Sequence, residues 1–141
     1  MINKVDKQNN KVDKQRRKKV MANILLVDDS AFMRKMEGDV ITKNGHVIVG
    51  EAGNGKEAID MYQKLLPDLV IMDITMPELN GVEAVKVIKT LDPKAKIIML
   101  SAMGQDYMVI DAISSGASDF IVKPFQDEKF IKSINNVLEA D

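Results

Sequence analysis

The chain contains no cysteine, which excludes disulfides, iron–sulfur clusters and thiolate zinc sites. It has a single histidine, His46, so neither a histidine-rich metal centre nor a Ser/His/Asp triad is expected. No apolar run approaches the roughly 20 residues that a membrane helix needs, and no segment has the layout of a secretory leader. The expected compartment is therefore the cytoplasm. What remains is ordinary: 141 residues, 45% apolar and 29% charged, enough for one soluble domain with a core of its own.

The net charge of −1 conceals an asymmetry. Residues 1–20 hold eight Lys/Arg against two Asp, a charge of +6, whereas residues 21–141 hold twelve against nineteen, a charge of −7. The first stretch, with Arg16-Arg17-Lys18-Lys19 at its end, has few apolar residues and no usable period. Residues 1–21 are expected to be a disordered basic extension; the competing reading is an arm for nucleic acid or anionic lipid. The domain itself, residues 22–141, is acidic, which argues against a nucleic-acid face.

From Ala22 onward short Val/Ile/Leu/Met runs alternate with helical patterns. The strand ends fall at positions 28, 51, 73, 101 and 123, and each interval suits one strand, one helix and two loops. Uninterrupted apolar runs of this kind are strands of a parallel sheet covered on both faces. Five such repeats predict an α/β fold with a doubly wound five-stranded parallel sheet and five helices. The first helix is expected to be capped by Ser30 and to bury Phe32, Met33, Met36, Val40 and Ile41. The second strand is expected at 46–50, and the second helix to turn Ala58, Ile59, Tyr62, Leu65 and Leu66 inward. Val82, Val85, Val87 and Ile88 are expected to face the core from the third helix. Met108, Val109, Ala112 and Ile113 would do so from the fourth, and Phe130, Ile134, Val137 and Leu138 from the last. Tyr107 with Met99, Met103 and Met108 is read as core in preference to a partner surface.

Four of the five runs end in side chains that can do phosphate or metal chemistry: Asp28-Asp29, Asp73, Ser101 and Lys123. In open parallel sheets ligands bind outside the carboxyl ends of the strands, so these residues converge. Three carboxylates in one place repel unless something positive neutralises them. With only oxygen ligands available, Mg2+ is the natural choice, its remaining coordination filled by water and phosphoryl oxygen. Asp73, ending a central strand, is the candidate nucleophile through an aspartyl phosphate. Ser101 and Lys123 would hold the phosphoryl oxygens. His46, opening a strand, is read as passive, and Gly53-Asn54-Gly55 as a turn and not a phosphate loop.

This set of residues resembles the receiver domain of bacterial response regulators, continuously over residues 22–141. It includes EAGNG at 51–55, DITMPELNG at 73–81 and KPF at 123–125. ILLVDDSAFMRKM and the run from SAMGQ to DFIVKPF are most similar to single-domain chemotaxis regulators of the CheY type, in the Gram-positive form. The resemblance implies a flavodoxin-like fold with strand order 2-1-3-4-5, carried over from the family. It implies that Asp73 accepts a phosphoryl group from a phosphohistidine on a sensor histidine kinase. Asp29, Asp73 and the backbone carbonyl of Thr75 would ligate Mg2+, with Asp28 acting through a water. Ser101 and Lys123 would contact the phosphoryl group, and Phe120 would be the aromatic switch that swings inward when Ser101 moves. The Lys123–Pro124 peptide bond would be cis, which only X–Pro bonds tolerate cheaply. Phe120 lacks a tyrosine hydroxyl, and Thr75 and Met103, two residues after Asp73 and Ser101, are neither acid nor amide, so phosphate lifetime is expected to differ from regulators with such groups there. A flagellar motor switch protein and a phosphatase are the implied further partners. The chain would be a monomer acting without membrane or nucleic acid, and a signalling protein with no catalytic turnover beyond its own phosphorylation and dephosphorylation.

Three other readings compete. A phosphorelay carrier would keep the same chemistry. A magnesium-dependent phosphohydrolase usually needs a second aspartate two residues after the nucleophile, where Thr75 stands. A flavin-binding module would need a phosphate loop in place of Asp28-Asp29.

Overall fold

A computed structural model describes residues 21–140. The basic extension expected over 1–21 therefore lies, all but Met21, outside the described residues. The elements alternate as expected: β1 (Asn23–Val27), α1 (Ala31–Lys43), β2 (Val47–Ala52), α2 (Gly55–Leu65), β3 (Leu69–Asp73), α3 (Gly81–Leu91), β4 (Ile97–Ala102), α4 (Asp106–Ser114), β5 (Asp119–Lys123) and α5 (Asp127–Glu139). All pairings are parallel, in the order β2-β1-β3-β4-β5.

Side chains alternate across a strand, and here the alternation divides the core in two. Leu25, Val27, Val70, Met72, Ile97 and Met99 face one side, where Ala58 and Tyr62 of α2, Val82, Val85 and Ile88 of α3, and Val109 and Ala112 of α4 cover them. Ile24, Leu26, Leu69, Ile71, Ile98, Leu100 and Ile121 face the other, under Ile41 of α1 and Phe130, Ile134 and Val137 of α5. The three central strands are buried almost throughout, so their backbone has one available register.

Helix starts follow the local chemistry. The side chains of Ser30, Asn54 and Asn80 accept from Met33 N, Glu57 N and Glu83 N, satisfying amides that have no partner within the helix. Several expected inward residues do not point inward. On α1, Phe32 and Met36 are 71% and 50% exposed, whereas Glu37 is 2% exposed beside fully buried Ile41. The apolar residues of α1 suggested a stripe one flank away from the true one, because an acid occupies its centre. Leu66 is the α2 C-cap with φ 45, a left-handed turn that swings its side chain into solvent. Leu65, Val87 and Ile113 also stand outside the core, as do Tyr107 and Met103, exposed by 76% and 79%. Only Met99 of that methionine cluster is fully buried, with Met108 partly so. β2 begins at Val47, one residue later than expected, because His46 N still donates to Ile41 O at the end of α1.

The end of the molecule carrying the N-termini of the strands is tied by polar side chains. His46 Nδ1 accepts from Ala22 N at 3.4 Å and its Nε2 faces Asn135 Oδ1 at 3.2 Å. Asn23 N donates to Asp68 Oδ2 at 2.7 Å. Lys96 Nζ donates to the carbonyls of Leu138 and Ala140 at 3.1 and 2.6 Å, holding the end of α5.

Candidate phosphoacceptor and metal site

Asp28 follows β1 directly, its N–H donating to Ala52 O at 3.1 Å, so the ladder carries its carboxylate to the sheet edge. One oxygen, Oδ1, accepts from Ser30 N at 2.9 Å; the other is buried and accepts no hydrogen bond. Asp73 is the last residue of central β3 and is 8% exposed. Asp29 is exposed beside them. One oxygen from each of the three carboxylates lies within 4.8 Å of the others.

Lys123 enters from β5, in register with Ala102 of β4. Its Nζ is 3.2 Å from Asp73 Oδ2 and 3.7 Å from Asp28 Oδ2, and the Lys123–Pro124 peptide is cis. Burial pushes the Asp73 carboxyl up, with Lys123 opposing. Burial also raises Asp28, opposed mainly by the Ser30 N–H. Burial works against the Lys123 charge, but Asp73 and Asp28 outweigh it and hold the ammonium above its ordinary value. One ammonium thus serves two buried carboxylates, and the cluster lacks positive charge. An all-oxygen donor set with a buried carboxylate oxygen that accepts no hydrogen bond fits a hard divalent cation such as Mg2+.

Ser101, at the end of β4, is fully buried with its Oγ unpartnered. Thr75 stands exposed in the β3–α3 loop, where its Oγ1 accepts from Gln105 Nε2 at 2.5 Å. Phe120 lies on β5 opposite Met99, 42% exposed. Two glycines shape the approach to Asp73. A Cβ on Gly81 would strike the Asp73 carbonyl oxygen, and one on Gly55 the Leu79 carbonyl oxygen. Both helix starts therefore press against the loop that follows the phosphoacceptor candidate.

Sequence reasoning missed three neighbours. Arg34 donates to the Asp28 carbonyl and pairs through Nε with Glu51 Oε1 at 2.9 Å; its partner Glu51 is 17 positions away, so no local pattern announces the pair. Glu37 is buried with both carboxylate oxygens lacking a partner. Burial, aided by the charge of Asp28, pushes its carboxyl up to about 8. Gln105 joins the loops after β3 and β4, and no local pattern announces it.

The family model described as the response regulator receiver domain matches residues 24–135. The chemotaxis protein CheY of Thermotoga maritima is 58% identical over 114 residues, spanning 81% of this chain and 95% of its own. That of Bacillus subtilis is 57% identical over 115 residues, spanning 82% and 96%. Among solved structures, a Borrelia burgdorferi CheX–CheY–BeF3–Mg2+ complex aligns at 36% identity with a TM-score of 0.80, covering 84% of this chain and 90% of the solved one. The response regulator domain of Thermotoga maritima CheB aligns at 35% identity with a TM-score of 0.79, covering 86% and 98%. With the β2-β1-β3-β4-β5 sheet and the acidic cluster at its carboxyl edge, these matches make the chain a member of the response regulator receiver family, homologous to the CheY chemotaxis proteins.

Proposed function

We propose that the chain is a chemotaxis switch set by phosphorylation of Asp73. The observation that carries this reading is the Asp73–Lys123 pair, 3.2 Å apart inside a cluster of three carboxylates. One Asp73 oxygen attacks the phosphorus of a phosphohistidine on a sensor histidine kinase. The P–N bond breaks, its electron pair stays on the imidazole, and the ring takes up a proton as it leaves. Asp28, Asp29, Asp73 and the Thr75 carbonyl would hold Mg2+, which when bound supplies the positive charge that the cluster lacks. Lys123 transfers its contact from Asp73 Oδ2 to a phosphoryl oxygen. Ser101 Oγ, buried and unpartnered, offers a further donor.

The output face lies around Phe120. Met103, Ile110, Ile113, Phe120 and Val122 line a cavity of about 650 Å3, and inward movement of Phe120 would reshape it. A flagellar motor switch protein is the proposed occupant, and a phosphatase the proposed means of resetting the switch; the Borrelia burgdorferi CheY was solved with CheX. The domain spans residues 22–141, preceded by a basic extension, and works as a cytoplasmic monomer. No helix of the described residues is long and apolar enough to cross a membrane.

Incubation with acetyl phosphate and Mg2+, followed by intact mass, tests the assignment. One hydroxylamine-sensitive phosphoryl adduct is expected, absent in Asp73→Asn. Undiminished labelling of that variant would overturn it.

A further inference from the structure

The loop after β4 is fastened to the loop after β3 by a single amide. Gln105 Oε1 accepts from Ala102 N at 2.7 Å, and Gln105 Nε2 donates to Thr75 Oγ1 at 2.5 Å. The orientation of the amide is fixed by chemistry: a backbone N–H can only donate, so the oxygen must face Ala102. Gln105 is also the N-cap residue of α4, yet its side chain makes no cap hydrogen bond. It is committed to the bridge instead.

The bridge spans the phosphoacceptor site. Asp73 and Leu100 are register partners, and Ile74 N donates to Leu100 O at 3.0 Å. The two chains therefore leave the sheet side by side, Ile74-Thr75 from one and Ser101-Ala102 from the other. Gln105 closes this gap two residues beyond Asp73 and one beyond Ser101. Gly104, with φ 88 and open space around it, gives the β4–α4 loop a joint next to the bridge.

We propose that Gln105 is a positioning residue, a clasp that holds the β4–α4 loop against Thr75 while Asp73 is unphosphorylated and that opens on phosphorylation. The proposal rests on the reading of Asp73 as phosphoacceptor. Anionic phosphoryl oxygens are stronger acceptors than an amide carbonyl. Placed on Asp73, they compete for the donors at the end of β4, and the Ala102 N–H is the first backbone donor past Ser101. Its loss from Gln105 frees the residue from which α4 starts. The chemistry at Asp73 is thereby joined to the helix that carries Ile110 and Ile113 of the output face.

The test uses the full chain and beryllofluoride with Mg2+ as the phosphoryl mimic, with titrations of wild type, Gln105→Ala, Thr75→Val and the double variant. Gln105→Ala takes both clasp hydrogen bonds from the resting form; water replaces part of what they contribute at this partly exposed site, so half-saturation should fall about fivefold. Thr75→Val should move it the same way, and the double variant no further than Gln105→Ala, because both changes break one bridge. The Ala102 amide resonance should shift on binding in wild type and begin displaced in Gln105→Ala. Unchanged or weaker affinity in Gln105→Ala, or additive effects, would overturn the clasp. A wild type that takes neither beryllofluoride nor acetyl phosphate would overturn the Asp73 reading and the clasp with it, whereas equal affinities in labelled proteins overturn the clasp alone.

Discussion

Lys123 Nζ sits 3.2 Å from Asp73 Oδ2 and is shared with Asp28 Oδ2 at 3.7 Å. The ammonium occupies the position of a counter-ion that a divalent cation would also serve, so the two compete. We expect Lys123→Met to bind Mg2+ several-fold more tightly, as removal of a nearby like charge requires. Phosphorylation of Asp73 by acetyl phosphate should nevertheless slow by about two orders of magnitude, because a donor to the developing charge is gone. Calorimetry and timed mass spectra would measure both; weaker Mg2+ binding in the variant would contradict the shared counter-ion.

Glu37 is expected to make stability without Mg2+ fall as pH rises. Its carboxyl is raised from 4.5 to about 8, so between those values the folded form holds a proton that the unfolded form has released. Stability is therefore full below the lower value and is lost as pH rises through the upper one. The loss is on the order of a few kcal/mol. Urea midpoints measured without Mg2+ should decline across this window in wild type and decline clearly less in Glu37→Gln, where the raised Asp28 and Asp73 carboxyls still contribute. A slope undiminished by the substitution would assign the effect elsewhere.

Asp29 separates metal binding from folding. It is exposed, so Asp29→Asn should change stability without Mg2+ by less than about 0.5 kcal/mol. Its carboxylate belongs to the metal-sized cluster, and Mg2+ affinity should drop by at least about tenfold. Thermal melts with and without Mg2+ would show the stabilising shift shrink in the variant.

Gly81→Ala should cost about 2 kcal/mol, since the new Cβ meets the Asp73 carbonyl and the Ile74 Cα, which are backbone and cannot rotate away. A denaturation midpoint equal to wild type would show that the loop yields more easily than its contacts imply.

The alternation of elements and most of the site were legible because Asp28, Asp29, Asp73, Ser101 and Lys123 each terminate an apolar run. A strand delivers its last residue to a known edge. Glu37 was not legible, because the rule that located the α1 stripe follows apolar residues and a buried acid breaks it. That same acid accounts for the misplaced Phe32 and Met36. Gln105 escaped notice for another reason: its partner Thr75 is 30 positions away, and loop conformation alone brings them together. The exposure of Tyr107 and Met103 shows a third limit, since apolar side chains serve surfaces as well as cores.

The two ends of the sheet carry different polar groups. At one end, His46 links Ala22 to Asn135 and Lys96 clamps the last carbonyls of α5. At the other, Asp28 Oδ2, Ser101 Oγ and both Glu37 oxygens are buried without hydrogen-bond partners. On the proposed function, charge added at Asp73 would act at the end where these polar groups lie, above a sheet whose register the buried central strands fix.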